Sequence, residues 1–176
     1  CTGGKNGYGI KLANVFSKRL VLETVDRKRA LKYVQVFEKN LSTIHAPKIT
    51  PCGEEPYTKL SFVPDLPRFG YTNGWSDMML RIVEKRVYDL AACTGSDVSV
   101  TYNNKDICVK DFDSYMQLFD ECEYGYFSEK INDRWEVGVA LSDDGFKQQS
   151  FVNGVCTIKG GTHVNYVANQ IAKHVS

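Results

Sequence analysis

Apolar residues recur along this chain with two periods, and the changes between them mark its elements. Residues 10–19 carry Ile10, Ala13 and Phe16 at helical spacing, with Leu12 and Val15 flanking that face. Residues 20–25 and 32–37 are short β-rich runs around a charged turn at 26–29, and they read as an antiparallel pair. Pro47, Pro51, Gly53 and Pro56 make residues 40–56 a loop, with room for a short strand at 48–50. Residues 57–63 alternate around Leu60 and Phe62 until Pro64 and Pro67 end the strand. The clearest helix spans 76–93, where Met79, Ile82, Val83, Val87, Leu90 and Ala91 form a stripe expected to face the core, and Gly95 stops it. Residues 98–102 and 107–109 flank Asn103-Asn104, a hairpin turn, and 113–120 suits a short helix.

The pattern changes near residue 120. Residues 120–130 are acidic and aromatic and read as a linker. From Arg134 the chain alternates strictly, with Trp135, Val137, Val139 and Leu141 on one side of a half-buried strand. Asp143-Asp144-Gly145 turns it, and 148–153 is expected to return alongside. Gly160-Gly161-Thr162, with Thr162 as N-cap, leads into a helix bearing Val164, Val167, Ala168, Ile171 and Val175. The expected class is α+β. The change of pattern sets residues 1–120 apart from a second α/β unit that begins at 121, with the last helix expected across its strands.

Composition sets limits without choosing a function. The 176 residues are 43% hydrophobic and 24% charged, as in ordinary globular chains. Formal charge is +1 and the densest basic cluster is Arg27-Lys28-Arg29, so there is no electrostatic footprint for nucleic acid. Cysteines at 1, 52, 93, 108, 122 and 156 include no C-x-x-C pair, which argues against zinc or thioredoxin-like chemistry and for thiols in a reducing compartment. His45, His163 and His174 have no metal-ligand spacing. No run is long and apolar enough for a membrane span, and no membrane partner is expected. The start at Cys1 and the end within a helix read as a segment of a longer protein.

The strongest chemical signal is the run Gly3-Gly4-Lys5-Asn6-Gly7-Tyr8-Gly9-Ile10-Lys11. Glycines let a ligand approach the main chain, and successive free N–H groups make an anion-binding concavity. A helix that starts in the run adds unpaired N–H groups and a positive dipole end. Lys11 supplies a mobile cation for phosphate. Positive φ is expected at Gly9, which would make Gly9→Val harmful. A glycine-rich turn that merely caps a helix is the alternative. The spacing is neither a Walker A loop, since Leu12 follows Lys11, nor G-x-G-x-x-G.

Residues 2–17, T-G-G-K-N-G-Y-G-I-K-L-A-N-V-F-S, resemble the glycine-rich ATP-lid box of eukaryotic-type DNA topoisomerase II. That family shares its ATPase superfamily with gyrase B, Hsp90, histidine kinases and MutL. Residues 150–167, S-F-V-N-G-V-C-T-I-K-G-G-T-H-V-N-Y-V, resemble the transducer segment of type IIA topoisomerases. Between them, 57–70, 86–90 and 132–137 fall in the family's order, so the resemblance covers essentially the whole chain.

The resemblance implies an ATP site that includes Gly4, Lys5, Asn6, Gly7, Tyr8, Gly9, Ile10 and Lys11. Asn6 and Lys11 would contribute side chains, and Gly7 to Ile10 would contribute backbone N–H groups. Lys5 stands where many relatives have arginine, so a bidentate contact does not carry over. The family's general base, magnesium ligand and adenine-binding aspartate lie upstream, and a further lysine lies downstream. No catalytic residue and no metal ligand are therefore assigned here, and no turnover is expected from this chain alone. The implied domains are the C-terminal part of an ATPase domain, 1–120, and the N-terminal part of a transducer, 121–176, in the two-layer sandwich of the Hsp90-like fold. The implied cofactors are ATP and Mg²⁺, the partners double-stranded DNA and a second copy in a homodimer, and the location the nucleus, with viral or organellar origin as alternatives. Rival readings are a MutL-like ATPase and a nucleotide-binding or interaction module without turnover. For 160–163 two readings stand, a relay from the nucleotide and a tight strand-to-helix connection.

Overall fold

The computed structural model describes residues 6–175, which divide into two compact units, 6–76 and 77–175. The first unit is an antiparallel sheet. After helix α1 (Tyr8–Val15) come strands β1 (Ser17–Asp26), β2 (Leu31–Glu38), β3 (Thr43–Ile44), β4 (Lys48–Pro51) and β5 (Thr58–Pro64), then a 3₁₀ turn at Leu66–Phe69. The order is β3-β2-β1-β5, with β4 also on β2. β1 is therefore central, and it holds the unit's buried apolar side chains, Leu20 and Val25. Leu20 faces Phe37 of β2 and Phe62 of β5 across the ladders. The expected pair at 20–25 and 32–37 is present with longer strands. The turn between them is closed by Asp26, whose carboxylate accepts from the Lys28 and Arg29 N–H groups. That geometry is local and needs only the aspartate at the turn's first position.

Glu23 of β1, Lys32 of β2 and Tyr57, just before β5, form a partly exposed polar cluster. The Tyr57 hydroxyl donates to Glu23, and Lys32 Nζ lies 3.2 Å from Glu23 and 5.5 Å from the Tyr57 ring centroid. Tyr57 first, then Lys32, holds the Glu23 carboxyl below its ordinary range.

The second unit opens with α2 (Asp77–Thr94), ended by Gly95 at φ 75°. A two-residue hairpin, β6 (Thr101–Tyr102) and β7 (Lys105–Asp106), turns through Asn103 and Asn104 at φ 51° and 61°, as their preference for left-handed backbone predicts. Then follow α3 (Phe112–Met116), β8 (Tyr126–Asn132), β9 (Trp135–Ala140), β10 (Phe151–Val152), β11 (Val155–Cys156) and α4 (Thr162–Val175). The core is Ala91, Ala92, Val109 and Tyr115, with Tyr88, Val100, Ile107, Phe119 and Phe151 packed on it. Tyr115 touches Phe119 and Phe151 edge-on at 5.3 and 5.8 Å.

Four expectations are corrected here. Residues 126–132 are not linker but strand β8, and β8 rather than 148–153 pairs with β9. Asn132 Oδ1 accepts from Arg134 N at 2.8 Å and closes that hairpin locally. Residues 151–156 instead form their own hairpin through Asn153-Gly154, both at positive φ. Leu141 lies beyond the strand and is 87% exposed. The α2 stripe is only partly right: Ala91 is buried as expected, but Ile82 is 61% exposed, and Asp89 and Ala92, which lie outside the stripe, are buried. Tyr115 and Phe119 share a core with Phe151, and the Gly138 backbone lies so close to Met116 that an added Cβ would sit 2.7 Å from its sulfur.

The buried Asp89 is explained by its partners. Lys85 Nζ donates to both carboxylate oxygens at 2.9 Å, and the Tyr115 hydroxyl donates to Oδ1 at 2.7 Å. Burial first, then the Asp89 carboxylate, raises the Tyr115 phenol far above its ordinary value.

α3 is only five residues long and depends on its N-terminus. Asp111 Oδ1 accepts from Ser114 N at 2.8 Å while Ser114 Oγ accepts from Asp111 N at 3.1 Å, a reciprocal capping box. The Ser114 hydroxyl, then its N–H, holds the Asp111 carboxyl below its ordinary range. A depressed carboxylate stabilises the fold above its unfolded pKa, and that contribution is lost as pH falls through the lower folded value. Asp111→Ala should cost about 0.5–2 kcal/mol. Asp111→Asn should keep most of the cap but lose the acid dependence. Denaturant melts across the acid range check both.

Candidate functional site

Gly7 starts α1 from the left-handed region, at φ 64° and ψ 23°, and no side chain caps the helix. A helix that begins at Tyr8 leaves the N–H groups of Gly7, Tyr8, Gly9 and Ile10 without carbonyl partners inside it. The first turn holds no acidic residue to neutralise its positive end. Residues 6–12 are all exposed, so these N–H groups face open space along with Asn6 and Lys11. Lys11 Nζ lies 5.9 Å from the Tyr8 ring centroid, which keeps the cation on the loop side of the helix. Free donors, a dipole end and a mobile ammonium suit a polyphosphate.

The structure brings Asn6, Gly7, Tyr8, Gly9, Ile10 and Lys11 into one turn and the start of one helix. Gly4 and Lys5 lie outside the described residues. Gly9 differs from expectation. It lies inside α1 without positive φ, and an added Cβ would meet nothing within 4 Å. The left-handed position is Gly7, so a β-branched residue would be strained there rather than at Gly9.

α1 is shorter than the pattern implied because Phe16 caps it and the chain enters β1 at Ser17. The Phe16 N–H donates to Leu12 O at 3.0 Å and its carbonyl accepts from Asp65 N at 2.8 Å, beside the end of β5. Its ring packs on Phe69 at 5.1 Å under the Arg68 guanidinium. Ser17, 2% exposed, donates its hydroxyl proton to Ala13 O at 2.5 Å, and Asn14 is buried where an apolar face was expected. The helix C-terminus is thus seated on β1 and β5, and its N-terminus projects outward. Lys39, Asn40 and Leu41 run in left-handed backbone beside this seat, and Lys39 N and Asn40 N donate to Lys18 O and Ser17 O at 2.9 and 3.0 Å. Nothing in the periodicity marked these residues, although an asparagine after a strand is a left-handed signal.

Among the described residues, no three or more His, Cys, Asp or Glu side chains are grouped to hold a metal ion. No helix there is long and apolar enough to cross a membrane. At 160–163, Thr162 opens α4 as its first residue rather than capping it, with Gly160 at φ 70° in the turn before.

Comparison with known proteins gives this geometry a family. Residues 99–176 match the family model described as DNA gyrase B. The fold matches the crystal structure of the ATPase region of Saccharomyces cerevisiae topoisomerase II, with a TM-score of 0.91 and 44% identity over 99% of this chain and 46% of that one. It also matches the ATPase and transducer domains of DNA topoisomerase II from Balamuthia mandrillaris, with a TM-score of 0.89 and 38% identity over 99% of this chain and 45% of that one. Over its whole length the chain is similar to the gyrase B-like ATPase region of the type IIA DNA topoisomerases. Within them it is similar to the eukaryotic enzyme named DNA topoisomerase 2. It is 47% identical to the Arabidopsis thaliana protein and 43% identical to that of Saccharomyces cerevisiae, each over 99% of this chain. It spans 12% and 13% of the length of those two relatives. The mixed α/β fold expected from the sequence is the fold of this region.

Proposed function

We propose that this chain is the triphosphate-binding and first transducer part of an ATP-dependent type II DNA topoisomerase, which passes one duplex through a transient double-strand break in another. The observation that carries the reading is the match to the yeast ATPase region over 99% of the chain, with α1 presenting its open N-terminus. The backbone N–H groups of Gly7 to Ile10 would hold the phosphate oxygens, with Lys11 and Asn6 placed to bind their outer edge and Gly4 and Lys5 completing the loop. The donor set fits a polyanion, since it offers donors and a cation without a carboxylate in the first turn. Bound ATP would supply the free energy for the cycle. This chain's share is to bind and orient the phosphates.

Residues 1–120 are assigned to the end of the ATPase domain and 121–176 to the start of the transducer. The division rests on the resemblance of residues 2–17 and 150–167, and the packing of Tyr115 and Phe119 with Phe151 and of Met116 against Gly138 joins the two parts. The same match favours a type IIA enzyme over a MutL-like ATPase. Mg²⁺, double-stranded DNA, a homodimer and a nuclear location are proposed on the strength of the relatives alone. Incubated with ATP and Mg²⁺, with or without DNA, the 176-residue chain should release no phosphate above buffer, because nothing in its loop can activate water. Magnesium-dependent turnover abolished by Lys11→Ala would overturn that assignment.

A further inference from the structure

We propose that His163 is a positioning residue, held as its Nε2–H tautomer at the head of a one-way hydrogen-bond chain that locks the start of α4 to the β10–β11 hairpin. The direction of the chain follows from its far end. Gln148 Nε2 lies 3.3 Å from Thr157 O and 2.9 Å from Ile158 O, two groups that can only accept. That assigns the amide nitrogen and turns Gln148 Oε1 toward Ser150 Oγ at 2.8 Å. An amide oxygen only accepts, so the Ser150 hydroxyl donates to it. Its single proton is then committed, and Thr157 must donate across the 2.5 Å contact to Ser150 Oγ. The Thr157 proton is committed in turn, so at 3.2 Å His163 Nε2 is the donor and Thr157 Oγ1 the acceptor.

The opposite tautomer fails at one definite place. With Nε2 bare, Thr157 would donate to His163 and Ser150 to Thr157. Ser150 Oγ and Gln148 Oε1 would then face each other at 2.8 Å with no proton between them. The ring is also confined from behind, because a Cβ on Gly161 would stand 2.9 Å from His163 Cε1 and 3.0 Å from Nδ1. This accounts for the glycine: the ring rests on bare backbone. Asn165 N donates to Gly161 O at 3.1 Å, so the same glycine begins the helix. The hairpin side is equally tied, with Thr157 N donating to Ser150 O at 2.7 Å and Gly160 N to Thr157 O at 2.8 Å. A shift of the hairpin would therefore carry the first turn of α4 with it.

The test uses the full chain with ¹⁵N-labelled histidine in mildly alkaline buffer. His163 is assigned by its loss from the spectrum of His163→Gln. We expect a fully pyrrole-type Nε2 and a pyridine-type Nδ1. The reverse pattern, or the tautomer mixture of free histidine, overturns the proposal. Hydrogen exchange gives the second readout. His163→Asn, whose amide is too short to reach Thr157, and Thr157→Val should speed exchange in the first turn of α4 about tenfold. His163→Gln, which places a donor near Nε2, should restore protection. Equal exchange in the Asn and Gln variants would contradict a positioning role even if both fold.

Discussion

Replacing Leu20 with alanine should destabilise the 6–76 unit by about 2–5 kcal/mol, because it empties the centre of the sheet. Leu20 is 1% exposed and lies on the central strand between Phe37 and Phe62. The other apolar side chains of this unit offer little compensation, since Phe62 is 46% and Val63 54% exposed. The lost methyl groups remove transfer free energy, and the paired backbones of β1, β2 and β5 hinder collapse into the cavity. Hydrogen exchange followed over 17–64 should show the loss in all three strands. Val21→Ala, on the same strand but only partly buried, should cost clearly less. Equal costs at the two positions would mean that the core is not where the structure puts it.

Asp89→Ala should cost about 2–4 kcal/mol in the 77–175 unit, although aspartate is a poor core residue by composition. The substitution removes two charge-assisted bonds from Lys85 and leaves the buried Tyr115 hydroxyl without its acceptor. Lys85 is half exposed and can return to water, so the penalty is concentrated at Tyr115. Tyr115→Phe in the same chain removes the stranded hydroxyl. The double variant should therefore lose measurably less than the sum of the two single losses. Strict additivity in denaturant melts would show that the two groups do not interact.

These two residues also show what could be read in advance. The helix carrying Asp89 was legible as 76–93 from its apolar period, within one residue at each end of the observed α2. Its buried face was not. The stripe through Ile82 and Val83 has better periodicity than the face through Tyr88, Asp89 and Ala92. The actual choice depends on Tyr115, 26 residues away, and on Phe151, farther still. The error at β9 is of the same kind. Alternation identified the strand but could not name its partner, and the polar Ser128, Glu129 and Lys130 hid β8. Asn153-Gly154, a strong local hairpin signal, would have kept 151–156 to itself. The loop was most legible because its chemistry is local. Glycines, an immediate helix and a lysine within one run need no distant contact. Even there, only the backbone could show that Gly7 and not Gly9 holds the left-handed position.

The most direct test is the affinity of a non-hydrolysable ATP analogue, measured by calorimetry in a longer chain carrying the rest of the ATPase region. Lys11→Ala should weaken binding by about 1.5–3 kcal/mol, the loss of one charge-assisted contact, which is roughly tenfold or more in Kd. Gly7→Val should weaken it at least as far, since valine resists the left-handed backbone that aims the N–H groups, whereas Gly9→Ala should be mild. Unchanged affinity in folded Lys11→Ala and Gly7→Val chains would contradict the assignment of the triphosphate to this loop.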